Sequence, residues 1–157
     1  MTNVTCSQSI TILMADDDQD DCLLVGKAFQ ASRLCNDLRF VKDGEELMDY
    51  LYQRGTYADA ALSPRPGLIL LDLNMPKKDG REALREIKSD SDLRAIPIVV
   101  LTTSKEEEDV LRSYDLGANS YITKPVTFQG LVDVIKSLGN YWLEIVELPV
   151  SQEAVHE

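Results

Sequence analysis

Histidine is nearly absent from this chain: of 157 residues, only His156 is one. A single histidine in a polar stretch cannot supply a Ser-His-Asp triad or a histidine-built metal site. Cysteine is sparse as well. Cys6, Cys22 and Cys35 are odd in number and lack metal-ligand spacing, which argues against a disulfide framework and for reduced thiols. No apolar run approaches the roughly 20 residues of a membrane span, and no basic segment leads into an early apolar stretch. The expectation is a cytoplasmic protein without a membrane partner. Positive charge is also scarce: 16 Lys and Arg stand against 27 Asp and Glu, a formal net charge of −11. Without a local basic patch, a nucleic-acid backbone is repelled, so no nucleic-acid partner is expected.

What is present is an ordinary globular composition, 44% hydrophobic and 27% charged, in a length suited to one domain. Residues 1–9 read as a flexible arm, 10–148 as the folded domain with an extended last helix, and 149–157 as a polar tail. The central stretch is Leu68-Ile69-Leu70-Leu71-Asp72-Leu73-Asn74-Met75-Pro76. Four consecutive apolar residues without alternation predict a strand buried on both faces, as in a parallel sheet covered by helices. Pro76 and Gly80 then take the chain out of the sheet, leaving Asp72 at the strand's C-terminal end, where open α/β sheets bind ligands.

The pattern repeats along the chain. Residues 10–15 form a strand candidate ending on Asp16-Asp17-Asp18, followed by a helix to about Ser32 whose apolar positions include Cys22, Leu23, Val25, Ala28 and Phe29. Asp18 is a candidate N-cap, and Asp20 and Asp21 lie in the first turn, where the helix dipole favours anions. Residues 38–41 form a short strand nearer the sheet edge, and Asp43 with Glu46 opens the next helix. Residues 55–66 read as a long connection. Asp79 with Glu82 opens a third helix, 96–101 is another apolar strand ending at Thr102-Thr103, and Ser104 with Glu107 opens a fourth helix. Residues 120–123 form a last strand ending at Lys124-Pro125, before a helix from about Thr127 to Leu148. Five strand–helix alternations predict a flavodoxin-like, doubly wound parallel sheet in the order 2-1-3-4-5, with helices on both faces.

The strand ends collect Asp16, Asp17, Asp72, Thr102 and Lys124 along one edge of the sheet. Carboxylates about 5 Å apart repel by about 3 kcal/mol per pair at an effective dielectric near 20, so a cation must offset them. Hard oxygen ligands suit Mg²⁺, Lys124 supplies a second positive point, and Thr102 adds a hydroxyl. Such a site is suited to placing a phosphoryl group on Asp72. Taken singly, Thr102, Tyr121 and Lys124 could be a strand former, a packing residue and a surface charge. Their joint placement at successive strand ends argues for a shared site.

The Asp16-Asp17 pair, Asp72 within Asp72-Leu73-Asn74-Met75-Pro76, the following Asp79-Gly80, Thr102, Tyr121 and Lys124-Pro125 together resemble a response-regulator receiver domain over roughly residues 9–140. The resemblance implies Asp72 as phosphoacceptor and Mg²⁺ held by Asp17, Asp72 and the backbone carbonyl of Asn74, with Asp16 assisting through water. It implies further that Thr102 moves toward the phosphoryl group, that Tyr121 switches rotamer, that Lys124 pairs with the phosphate, and that the Lys124-Pro125 bond is cis. Ser63-Pro64-Arg65-Pro66, residues 101–107 and Tyr141-Trp142-Leu143 resemble, more narrowly, single-domain regulators paired with bacterial phytochrome histidine kinases. Such a protein is a phosphoacceptor rather than an enzyme with turnover, and its partner is a sensor histidine kinase. Thr103 stands where that family usually carries Ala or Gly, a departure that bears on phosphoryl access and lifetime.

Two other functions fit parts of the pattern. A haloacid-dehalogenase-like phosphatase also uses an Asp nucleophile with Mg²⁺, but needs an acid two residues later, where this chain has Asn74. A non-phosphorylated adaptor would use the acidic pocket for metal alone. Beyond Gly139 the last helix continues through Tyr141, Trp142, Ile145 and Leu148 with apolar residues on more than one side. That excess predicts a homodimer through Tyr141, Trp142 and Ile145.

Overall fold

The run Leu68–Leu71 forms the middle strand of a five-stranded parallel sheet, and all four of its residues are buried. The computed structural model describes residues 10–32, 36–103 and 106–140. The proposed arm at 1–9, the tail at 149–157 and the dimer residues Tyr141, Trp142 and Ile145 lie outside the described residues, as do Cys6, Cys35 and Ser104.

The strands are β1 (Thr11–Ala15), β2 (Asp37–Val41), β3 (Leu68–Leu71), β4 (Ile98–Thr102) and β5 (Ser120–Thr123). They lie in the order β2-β1-β3-β4-β5, as the alternation of elements predicts. The helices are α1 (Gln19–Ala31), α2 (Gly44–Tyr52), α3 (Gly80–Ser89), α4 (Glu107–Asp115) and α5 (Phe128–Leu138). Residues 55–66 are a connection, as expected, carrying two short 3₁₀ turns at Gly55–Tyr57 and Ala60–Leu62.

Alternation along the strands sorts the core into two layers. Ile12, Met14, Leu68, Leu70, Val99 and Leu101 face α1 and α5, where they meet Val25, Phe29, Leu131 and Ile135. Leu13, Ile69, Leu71 and Val100 face the opposite way, onto Leu47 and Met48 of α2 and Leu84 and Ile87 of α3. Burying each such Leu or Ile contributes about 1.5–3 kcal/mol, so both helical layers are held chiefly by these central strands. Leu23, expected on the buried stripe of α1, is 59% exposed, and Phe128 at the start of α5 is 43% exposed. Leu23 lies outside the arc of α1 that meets the sheet, whereas Phe128 shares a face with the buried Leu131, Val132 and Ile135 and is exposed because it is the first residue of α5. Val132 of α5 is buried with Leu131, Ile135 and Leu138.

Helix starts are set by side-chain caps. Asp18 accepts from the amides of Asp20 and Asp21, Asp43 from Glu46, and Thr127 from Gly130. Asp79 and Glu82 form a full reciprocal capping box. α4 differs: its N-cap is Glu106, and no side chain caps it. The expected opening by Ser104 with Glu107 therefore does not describe where α4 starts, since Glu107 is its first residue and not its third.

Close backbone approach explains Gly80. A Cβ there would fall 2.2 Å from the carbonyl oxygen of Asp72, and one at Gly44 would fall 2.0 Å from that of Lys78. These two glycines let α2 and α3 grip the loop that follows β3. The left-handed backbone in that loop belongs to Lys77 (φ 66°), whereas Gly80 has no positive φ.

Candidate functional site

Strand register brings the candidate residues together. Ala15 pairs with Leu71, and the Asp72 amide donates to the Ala15 carbonyl at 3.0 Å, so Asp16 and Asp72 leave adjacent strands side by side. Leu71 also pairs with Val100, which puts Thr102 two residues further along the neighbouring strand. Thr102 pairs with Thr123, and Lys124 follows, its amide donating to the Thr102 carbonyl at 2.7 Å.

The side chains converge accordingly. Asp16, Asp17 and Asp72 each offer a carboxylate oxygen, all within 4.8 Å of one another. Asp16 and Asp72 are buried and Asp17 is exposed. The Thr102 hydroxyl donates to Asp72 Oδ1 at 2.8 Å, and the Asn74 amide donates to the same oxygen at 3.3 Å. Lys124 Nζ lies 3.5 Å from Asp72 Oδ2. It donates to Asp16 Oδ2 and to Asp21 Oδ2, each at 2.6 Å. One ammonium thus faces three carboxylates, with a fourth at Asp17 nearby, and the cluster keeps an excess of negative charge. A hard divalent cation fits this donor set.

The charges respond to burial and to one another. Burial, relieved in part by Lys124, pushes the Asp16 carboxyl up to about 6. For Lys124, burial pulls downward, but hydrogen bonds to Asp16 and Asp21 and the charge of Asp72 outweigh it and hold the ammonium above the usual lysine range. Cys22 sits beside the cluster, and burial with the Asp16 charge pushes its thiol up to about 12. It is therefore a poor nucleophile.

Tyr121 shares a sheet face with Val100, its register partner, and is half-buried against the α2/α3 core layer. Its amide donates to the Tyr114 hydroxyl of α4 at 3.1 Å. Thr103 points to solvent. The Lys124-Pro125 bond corrects an expectation: no cis peptide occurs among the described residues, so this bond is trans. An X-Pro bond prefers trans by about 0.5–1 kcal/mol, and the trans form already brings the lysine to its carboxylates.

A receiver-domain family model, described as "Response regulator receiver domain", matches residues 12–136. The chain belongs to the response-regulator receiver family. This receiver is 46% identical to "Response regulator Rcp1" of Synechocystis sp. over 140 residues, covering 89% of this chain and 93% of that one. Among solved structures, it resembles the Mn²⁺-bound form of Rcp1 with a TM-score of 0.82 at 46% identity, covering 89% of this chain and 99% of that one. It resembles the phosphorylated cyanobacterial phytochrome response regulator RcpA with a TM-score of 0.83 at 46% identity, covering 90% and 99%.

Two features of this receiver escaped sequence reasoning. Asp21 was legible only as a first-turn helix acid, yet it is a full partner of Lys124. Its position three residues after the N-cap Asp18, one turn into α1, was the available signal. The second is the paired contact of Arg81 with Asp109, Nε to Oδ1 at 2.9 Å and Nη2 to Oδ2 at 2.7 Å, which ties α3 to α4. Nothing in the sequence links two residues 28 positions apart.

Proposed function

We propose that this receiver accepts a phosphoryl group on Asp72 from the phosphohistidine of a sensor histidine kinase of the phytochrome class, and that the modification switches a protein-interaction surface. The observation that carries this reading is the setting of the Asp72 carboxylate, held by Thr102 on one oxygen and faced by Lys124 on the other, inside an acidic cluster. An Asp72 oxygen attacks phosphorus in line, and the bond from phosphorus to the imidazole nitrogen breaks, its electron pair returning to the ring. Asp17, Asp72 and the Asn74 carbonyl would hold Mg²⁺, with Asp16 assisting through water, and the ion when bound neutralises charge on the transferred group. Lys124 and Thr102 offer donors to the phosphoryl oxygens, and Tyr121 changes rotamer as Thr102 moves.

The phytochrome assignment draws on the relative described as a phytochrome response regulator. Metal binding draws on the Mn²⁺-bound relative as well as on the acidic cluster. A cytoplasmic location and a homodimer through Tyr141, Trp142 and Ile145 belong to the same proposal and rest on the sequence. The function is that of a signalling phosphoacceptor, with no turnover of a separate substrate.

The test incubates the protein with an autophosphorylated phytochrome-type kinase and Mg²⁺, and locates the phosphoryl group by mass spectrometry. Wild type should carry one group, on Asp72, and Asp72→Asn should carry none. Labelling at another residue, or full labelling of the variant, would sink the assignment.

A further inference from the structure

We propose that Asp21 is a positioning residue that holds Lys124 away from the phosphoryl position, so that Lys124 must exchange Asp21 for the incoming phosphoryl oxygens. The inference rests on the proposed phosphorylation of Asp72 and adds a residue that controls it.

A lysine ammonium has three N–H donors. In this receiver two of them are committed, to Asp16 Oδ2 and Asp21 Oδ2 at 2.6 Å each, while Asp72 Oδ2 is further off at 3.5 Å. The two partners are unequal. The Asp16 side chain is fully buried, whereas that of Asp21 is 30% exposed at the outer side of the ammonium. Water can therefore take over the Asp21 carboxylate at modest cost, and cannot do so for Asp16. Asp21 is the partner that can be exchanged.

A phosphoryl group on Asp72 brings three strong acceptor oxygens to within reach of the same ammonium. To serve them with more than one hydrogen bond, Lys124 must release a carboxylate, and the exposed one is the cheaper to release. Asp21 also places a negative charge beside the path of an anionic phosphodonor. Both effects act in the same direction: Asp21 slows phosphorylation and weakens binding of phosphoryl mimics.

Asp20 supplies the control. It precedes Asp21 in α1, carries the same charge and is exposed, and its amide donates to the N-cap carboxylate of Asp18. Replacing it removes one charge from the region without touching Lys124.

The experiment measures the rate of phosphorylation by acetyl phosphate with Mg²⁺, and the affinity for beryllofluoride by ¹⁹F NMR, at physiological salt. Here Asp72 attacks phosphorus and acetate leaves with the electron pair. Asp21→Asn should phosphorylate about fivefold faster than wild type and bind beryllofluoride more tightly by a similar factor, the scale of a partly exposed ion pair. Asp20→Asn should stay within about twofold of wild type, because an exposed charge is largely screened. Asp21→Glu, which restores the charge within reach of Lys124, should return the rate toward wild type. Asp21→Ala carries the same expectation as Asp21→Asn, so whichever of the two melts like wild type decides the matter. An Asp21→Asn protein no faster than wild type, or an Asp20→Asn protein equally accelerated, would overturn the proposal. A wild type that takes up neither phosphoryl group nor beryllofluoride would overturn the parent reading and this one with it.

Discussion

The two sides of the sheet are held in different ways. On the β1-β3-β4 side almost every strand residue is buried, the flanking helices α1, α2, α3 and α5 carry side-chain caps, and glycines let the backbone close on the loop after Asp72. On the β5-α4 side all four residues of β5 are only half-buried, α4 lacks a side-chain cap, the Tyr121 amide ties β5 to Tyr114 of α4, and Arg81 of α3 ties α4 to the other side through Asp109. Apolar packing is non-directional and uniformly costly to lose, whereas a few polar ties can be exchanged one at a time. Asp72, the proposed acceptor, thus stands on the rigid side with Thr102 at the end of β4, and Tyr121, the residue proposed to switch, stands on the loosely tied side.

The largest expected effect comes from emptying the rigid side. Leu71→Ala should lower unfolding stability by about 3 kcal/mol, the usual cost of a buried cavity, and Ile122→Ala in β5 by about half of that or less. Urea unfolding of both variants checks the ratio, and equal losses would erase the difference between the two sides. A smaller effect is expected from Arg81→Ala, which removes the charged tie between α3 and α4. It should cost about 1–2 kcal/mol and speed amide exchange in α4 by about tenfold while leaving β3 unchanged. Exchange that rises equally in β3 would show that α4 is not an independent unit. The smallest effect sharpens the contrast by supplying what α4 lacks: Glu106→Asp introduces a favoured N-cap and should raise stability by about 0.5 kcal/mol, read from the shift of the thermal midpoint.

Much of this division was legible in the sequence, and the parts that were not have physical reasons. Unbroken apolar runs at 68–71 and 98–101 announced strands buried on both faces. The carboxylates, hydroxyl and lysine that follow strand ends had to meet at one edge once the sheet was parallel. Asp18, Asp43, Asp79 and Thr127 mark helix starts because capping is a local interaction. What failed was non-local or directional. Leu23 fits a helical stripe, but which arc meets the sheet depends on how the helix is seated. Gly80 looked like a turn residue, and its requirement is instead the approach of Asp72's own carbonyl. Asp21 fitted the helix dipole equally well with or without Lys124, and the pairing of Arg81 with Asp109 depends on a tertiary approach that no local pattern encodes. The cis Lys124-Pro125 bond came from resemblance alone, and the described structure has it trans.

The most direct measurement is amide hydrogen exchange of the receiver with Mg²⁺, compared with and without beryllofluoride as a stable mimic of the phosphoryl group. If phosphorylation of Asp72 is received on the rigid side and read out on the other, protection in β5 and α4 should change by about tenfold or more while β1 and β3 keep their protection. A change spread evenly over the sheet, or one confined to β1 and β3, would contradict that division.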